Sequence, residues 1–130
     1  MTRAADSTLT SSHDKGRSGE QAVTEYLEKK GYGILARNFR SRTGEVDIVC
    51  EAGPLILFIE VKSWAAFAPE ALGPAIGSGK QKRIVQTARY YLLQNPHLRD
   101  RGVRFDVVLI NPKAGTIRHI EGAFEAECPE

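Results

Sequence analysis

A chain of 130 residues is the size of one domain, with a single core covered by two or three layers. Hydrophobic residues make up 42% and charged residues 26%, ordinary proportions for a soluble globular protein. No apolar run approaches the roughly 18 residues a membrane span needs, and a formal net charge of +2 is too small to argue for nucleic acid by itself.

Taken in chain order, residues 1–15 read as a polar tail without the apolar core of a signal peptide. "SGEQAVTEYLEKKGY" reads as a helix, with Ala22, Val23, Tyr26 and Leu27 on one face and Gly31 as its stop. "GILARNF" is a short strand and "RSRTG" a turn. "EVDIVCE" alternates, which predicts Val46, Ile48 and Cys50 on one face and Glu45, Asp47, Val49 and Glu51 on the other. "AGP" is a turn, and "LILFIEVK" a strand buried on both faces. After the Gly/Pro-rich loop "ALGPAIGSG", "KQKRIVQTARYYLLQNP" is an amphipathic helix with Ile84, Val85, Ala88, Tyr91 and Leu92 as its stripe and Pro96 just past its end. Tyr91 reads as core, while Tyr90 faces solvent or a base. "VRFDVVLI" is another buried strand, and "TIRHI" after "NPKAG" closes a hairpin. This predicts one α/β domain over residues 16–122 and a C-terminal tail over 123–130.

Two cysteines, Cys50 inside an apolar strand and Cys128 near the C-terminus, give neither a disulfide framework nor a metal-ligand spacing, which suits a reducing cytoplasm. Basic residues gather in one segment. Lys80, Lys82, Arg83, Arg89, Arg99, Arg101 and Arg104 are opposed there only by Asp100 and Asp106, an electrostatic footprint for phosphates or else a solvated face. "GSGK" at Gly77–Lys80 is not a nucleotide-binding loop, because Pro74 stands where the Walker spacing needs glycine and Gln81 where it needs Ser or Thr. His13, His97 and His119 have no partner spacing and read as surface or rim residues. Asp106 alternates onto the face of Arg104 and reads as an ion-pair member rather than a catalytic group.

The strands flanking "AGP" pair most simply as a hairpin closing between Gly53 and Pro54, which lays Asp47 directly across from Glu60. Two carboxylates so opposed repel, and packing alone gives no reason to tolerate them. Lys62 projects onto the same face as Glu60, and Glu20 lies near Leu27 on the helical wheel, at the edge of the apolar stripe. Carboxylates with open coordination positions suit Mg²⁺ or Mn²⁺, and a lysine beside them can neutralise charge developing on a phosphorane. The chemistry that fits is hydrolysis of a phosphodiester. An incidental acid pair on a sheet rim is the bland alternative.

The stretches "GRSGEQAVTEYLEKKGYGILARNFRSRTGEVDIV", "LFIEVKSW", "KQKRIVQTARYYL" and "VRFDVVLI" together resemble the bacterial YraN-like family, over about residues 16 to 120. That resemblance implies a restriction-endonuclease-like PD-(D/E)xK fold, a central mixed five-stranded sheet flanked by helices, and kinship with archaeal Holliday-junction resolvases. It also implies Glu20, Asp47, Glu60 and Lys62 as the active-site set, with Glu20, Asp47 and Glu60 as metal ligands. Glu45 and Gln81 are implied as supporting or substrate-side residues. One departure is Trp64, where the family commonly carries a basic residue.

The expectation is therefore a metal-dependent endonuclease acting on DNA, at branched or otherwise structured sites, with RNA as a less favoured partner. Nucleic acid would be met by Lys80, Gln81, Lys82, Arg83 and Arg89. Two other classes compete with it: a non-catalytic nucleic-acid-binding module on the same fold, and a protein-interaction module. A homodimer is compatible with the sequence but not read from it.

Overall fold

The computed structural model describes residues 12–63 and 76–126, with side chains from residue 19 onward. The side chain of His13, most of the Gly/Pro-rich loop, Trp64 and Cys128 lie outside the described residues. The elements are α1 (Ser12–Lys29), β1 (Gly33–Ser41), β2 (Gly44–Ala52), β3 (Leu55–Ser63), α2 (Ser78–Gln94), β4 (Gly102–Asn111) and β5 (Thr116–Phe124). The order matches the sequence reading, with longer ends: α1 starts inside the stretch read as tail, and β5 runs past the residue-122 boundary.

Local chemistry explains the element ends. Gly31 has φ +91°, its N–H reaches the Glu28 carbonyl at 2.9 Å, and the Tyr32 N–H reaches the Leu27 carbonyl at 3.1 Å. That pair of bonds satisfies carbonyls the helix would otherwise leave open, and it needs the left-handed backbone that glycine adopts without strain. Pro96, lacking an N–H, stands just beyond α2 and opens a short 3-10 turn over Pro96–Leu98.

The five strands form one mixed sheet in sequence order, with β3 and β4 parallel and every other pair antiparallel. Side-chain alternation along β3 sends Ile56 and Phe58 to one face and Leu57 and Ile59 to the other. The first pair packs with Ile84, Val85, Ala88 and Tyr91 of α2, the second with Val23 and Leu27 of α1. Each helix thus covers one face, the arrangement of an α/β sheet buried on both sides and compatible with a restriction-endonuclease-like core. No helix among the described residues is long and apolar enough to cross a membrane.

One expectation fails in β2. Val46 does not share a face with Ile48 and Cys50; it packs with Val49 in the α2 core, while Ile48 and Cys50 belong to the α1 core. The cause lies across the ladder, where Asn38 of β1 takes φ +55° between the Arg37–Ile48 and Phe39–Val46 pairs. A left-handed residue there turns Phe39, and with it Val46, toward α2.

A second expectation fails at His119. It is not a surface or rim residue: its side chain is 4% exposed and its Nε2 lies 2.7 Å from Asp106 Oδ2. Its Nδ1 faces the Tyr26 hydroxyl and the Lys30 ammonium, each at 3.2 Å. An ammonium can only donate, so Nδ1 accepts and the ring carries its proton on Nε2, donating to Asp106. Asp106 is fully buried and also accepts two bonds from Arg104 at 2.9 Å and one from the Gly122 N–H at 3.0 Å. Although burial works against it, bonds from His119, Arg104 and Gly122 hold its carboxyl down to about 2. The ion-pair reading of Asp106 is met, and with more partners than the sequence suggested. Removing a buried charge and stranding its partners is among the costliest single changes. Asp106→Ala should lose about 3–5 kcal/mol of unfolding free energy in urea denaturation; a loss under about 1 kcal/mol would show that the network contributes little.

Candidate functional site

The site grows from the turn that joins β2 to β3. Ala52 pairs with Leu55, leaving only Gly53 and Pro54 in the loop, and Gly53 takes φ +60° at the first central position. Two-residue hairpin turns of the primed type need such a residue there. The register then runs Cys50–Leu57, Val49–Phe58 and Ile48–Ile59, as read from the sequence, and stops. The Asp47–Glu60 pair would be next, but the ladder is already open. On its other side Asp47 faces the left-handed Asn38, so pairing with β1 lapses there too.

Asp47 therefore sits where two ladders part. Its Oδ2 crosses the gap to accept the Val61 N–H at 2.8 Å. Glu60, the neighbouring residue on β3, is buried. Burial pushes the Asp47 carboxyl up to about 7, the Glu60 charge adds to the rise, the Val61 N–H opposes it, and Glu20 and Glu45 contribute further. The leading cause is desolvation rather than like-charge repulsion.

Glu60 has a partner the sequence did not suggest. Lys80, in the first turn of α2, places Nζ 2.8 Å from Glu60 Oε2. The Glu60 side chain is 8% exposed and the Lys80 side chain 43%, so the acid is buried and the lysine stem reaches in from solvent. The bond to Glu60 raises the Lys80 pKa against the opposing effect of burial.

The remaining predicted residues divide. Lys62, half-buried, follows Glu60 by two on β3 and so projects to the same face; it makes no hydrogen bond or ion pair among the described residues. Glu20 is half-buried on α1 and reaches Asp47 through its charge. Glu45 pairs loosely with Arg40 at 3.6 Å. Gln81 donates to the Ile76 carbonyl at 2.9 Å, tying down the chain before α2. Lys82, Arg83 and Arg89 are exposed on α2. At about 100° per residue they do not form one stripe: Lys82 and Arg89 lie almost opposite Lys80, while Arg83 stays on the Lys80 flank. Two other members of the basic segment are committed elsewhere. Arg101 bonds Glu51 at 2.8 Å and the Gly53 carbonyl at 2.9 Å, clamping the β2–β3 hairpin, and Arg104 holds Asp106.

Sequence reasoning missed Lys80 as the partner of Glu60, since a helix-to-strand ion pair across a loop leaves no periodic trace. His119 was findable. Its hairpin register sets it opposite Val108, one diagonal step from Asp106 on the same face.

Among the described residues no three His, Cys, Asp or Glu side chains form a group that could hold a metal ion by themselves. Mg²⁺ does not require such a cage, because it commonly binds through one or two carboxylates, waters and substrate phosphates. Asp47, whose ionised form is left short of compensation, and Glu60 beside it have the hard-oxygen chemistry for that mode. The donor set fits a hard divalent cation with Lys80 moved off Glu60.

The chain has clear matches among known sequences. The sequence profile described as "Uncharacterised protein family UPF0102" matches residues 19–110, a span that includes Glu20, Asp47, Glu60, Lys62 and Lys80. A UPF0102 protein of Persephonella marina is 39% identical over 114 residues, covering 87% of this chain and 95% of that one. Another, from Syntrophus aciditrophicus, is 40% identical over 119 residues, with 90% and 93% covered, and one from Rhodopseudomonas palustris is 40% identical over 111 residues, with 85% and 83% covered.

The Asp47 shift has a stability consequence. The native state keeps this proton up to about pH 7, whereas the unfolded chain releases it near 3.8. Between those values the folded protein binds more protons, so its stability falls as pH rises. In chelator, the unfolding free energy of wild type relative to Asp47→Asn should decline across that window, by at most about 1.4 kcal/mol for each pH unit. Parallel pH profiles for the two proteins would contradict the assigned shift.

Proposed function

The chain belongs to the uncharacterised protein family UPF0102, and we propose that it is a metal-dependent nuclease that hydrolyses phosphodiester bonds in DNA. The observation that carries this reading is the Asp47–Glu60 arrangement: two acids at the open end of a ladder, one with a carboxyl pushed up to about 7. A strand pair built only for stability gains nothing from that cost, and strongly perturbed groups gather at functional sites.

Asp47 and Glu60 would hold Mg²⁺ or Mn²⁺, with Glu20 as the acid on the α1 side. The bound ion would supply Lewis acidity and a water of lowered pKa. Lys62, on the face of Glu60 and without a protein partner among the described residues, is available to donate to a phosphate oxygen on which charge develops. Arg83, on the flank of α2 that carries Lys80, is the arginine best set to meet the substrate backbone near the site. Lys82 and Arg89 face away and would meet a different stretch of backbone.

A non-catalytic nucleic-acid-binding module is the second reading, favoured by the ion pair of Glu60 with Lys80, which satisfies the acid without a metal. Binding and cutting separate the two. Lys62→Ala should leave DNA binding within a few-fold and lower Mg²⁺- or Mn²⁺-dependent cleavage by roughly 10²-fold, because it removes a group that acts mainly in the transition state. Arg83→Ala should reduce the slope of log affinity against log salt by about one. Assays on branched, single-stranded and duplex DNA check both. Tight binding with no metal-dependent product on any substrate would favour the non-catalytic module.

A further inference from the structure

Glu60 is a buried acid, and a buried acid needs a nearby positive charge. Lys62, two residues along the same strand, does not serve it; Lys80 does, from another element and at 2.8 Å. The Lys80 ammonium feels the charges of both Glu60 and Asp47, so it stands in the field of the same two acids that would receive a divalent cation. Both cations cannot occupy that position, because a doubly charged ion next to an ammonium repels it strongly in a partly buried site.

The lysine has somewhere to go. Its side chain is 43% exposed, and its path starts beside Gly77 and Gly79. A Cβ added at Gly77 would meet nothing within 4 Å, and one at Gly79 only the end of Arg83 at 3.7 Å. Swinging outward carries the ammonium toward the flank of α2 that holds Arg83.

We propose that Lys80 is an exchangeable counter-ion of this site: it stands on Glu60 while no divalent cation is bound, is displaced when one binds, and then turns to a substrate phosphate. This rests on the metal-site reading above. It makes Lys80 a substrate-binding residue that couples metal loading to substrate binding, and it reconciles the ion pair with a site built for a metal.

Calorimetric titration of Mn²⁺ into wild type, Lys80→Met and Asp47→Ala tests the exchange. Lys80→Met should bind Mn²⁺ roughly tenfold more tightly than wild type, within the span usual for coupling between two ligands of one site. Equal or weaker binding by Lys80→Met, with binding still lost in Asp47→Ala, would overturn the exchange and leave the metal site standing. Absence of binding in both wild type and Lys80→Met would overturn the metal site together with the exchange. Binding by Lys80→Met alone would support it in its strongest form. Should Lys80→Met not fold, the wild type answers by NMR: on adding Mg²⁺ the Lys80 Cε–Hε signal, assigned through Lys80→Arg, should move to the position of a solvated lysine. A signal that stays fixed while those of Asp47 move would overturn the exchange. Mg²⁺ should also raise the affinity of wild type for a duplex oligonucleotide by more than it raises that of Lys80→Met, and an equal gain would overturn the phosphate contact.

Discussion

The two-residue turn at Gly53–Pro54 governs which side chains of β2 and β3 meet. It fixes the β2–β3 register, and a slip of one residue would exchange the two cores and carry Glu60 to the α1 face. Arg101 reinforces it by bonding Glu51 on the strand and the Gly53 carbonyl in the turn. With that register set, the ladder delivers Asp47 and Glu60 to the same level of the sheet. The left-handed Asn38 then opens the other side of β2 at that level. A turn at one end of a hairpin thus sets which acids meet at the other.

The molecule treats its two inward aspartates in opposite ways. Asp106 has four bonds from Arg104, His119 and the Gly122 N–H, and its carboxyl lies at about 2. Among the described residues Asp47 accepts one backbone bond and has acidic neighbours, and its carboxyl lies at about 7. The first is a satisfied polar network that locks β4, β5 and α1 together. The second is an acid whose ionised form has little compensation, and groups so perturbed gather at functional sites. UPF0102 membership joins this chain to relatives matched along most of their length, so the contrast can be sought at the equivalent positions in them.

Much of this was legible in the sequence for reasons that can be stated residue by residue. The apolar stripes Val23–Leu27 and Ile84–Val85–Ala88–Tyr91 named the faces of both helices, and Gly53 and Pro54 gave the hairpin and its register. Register brings Asp47 to the level of Glu60 and alternation puts Lys62 on the face of Glu60, although the alternation of β2 breaks at Asp47 itself. What escaped was tertiary. Val46 changed face because of a backbone conformation at Asn38, on the neighbouring strand. Thr87 reads as polar and breaks the α2 stripe, yet it is fully buried, its hydroxyl bonded to Thr43 at 2.8 Å and to the Arg83 carbonyl at 2.9 Å. The basic segment looked like one footprint because sequence proximity hides direction. In space Lys80 turns to Glu60, Arg101 and Arg104 are engaged in the fold, and Lys82 and Arg89 face away from the site.

The claim that Asp47 belongs to a divalent-cation site is tested most directly by its own carboxyl carbon, followed by NMR against pH in chelator and again in saturating Mg²⁺. The expected midpoint is near 7 in chelator and below the ordinary 3.8 with Mg²⁺, since a bound cation favours the ionised form. A midpoint near 7 that Mg²⁺ leaves unmoved would contradict it.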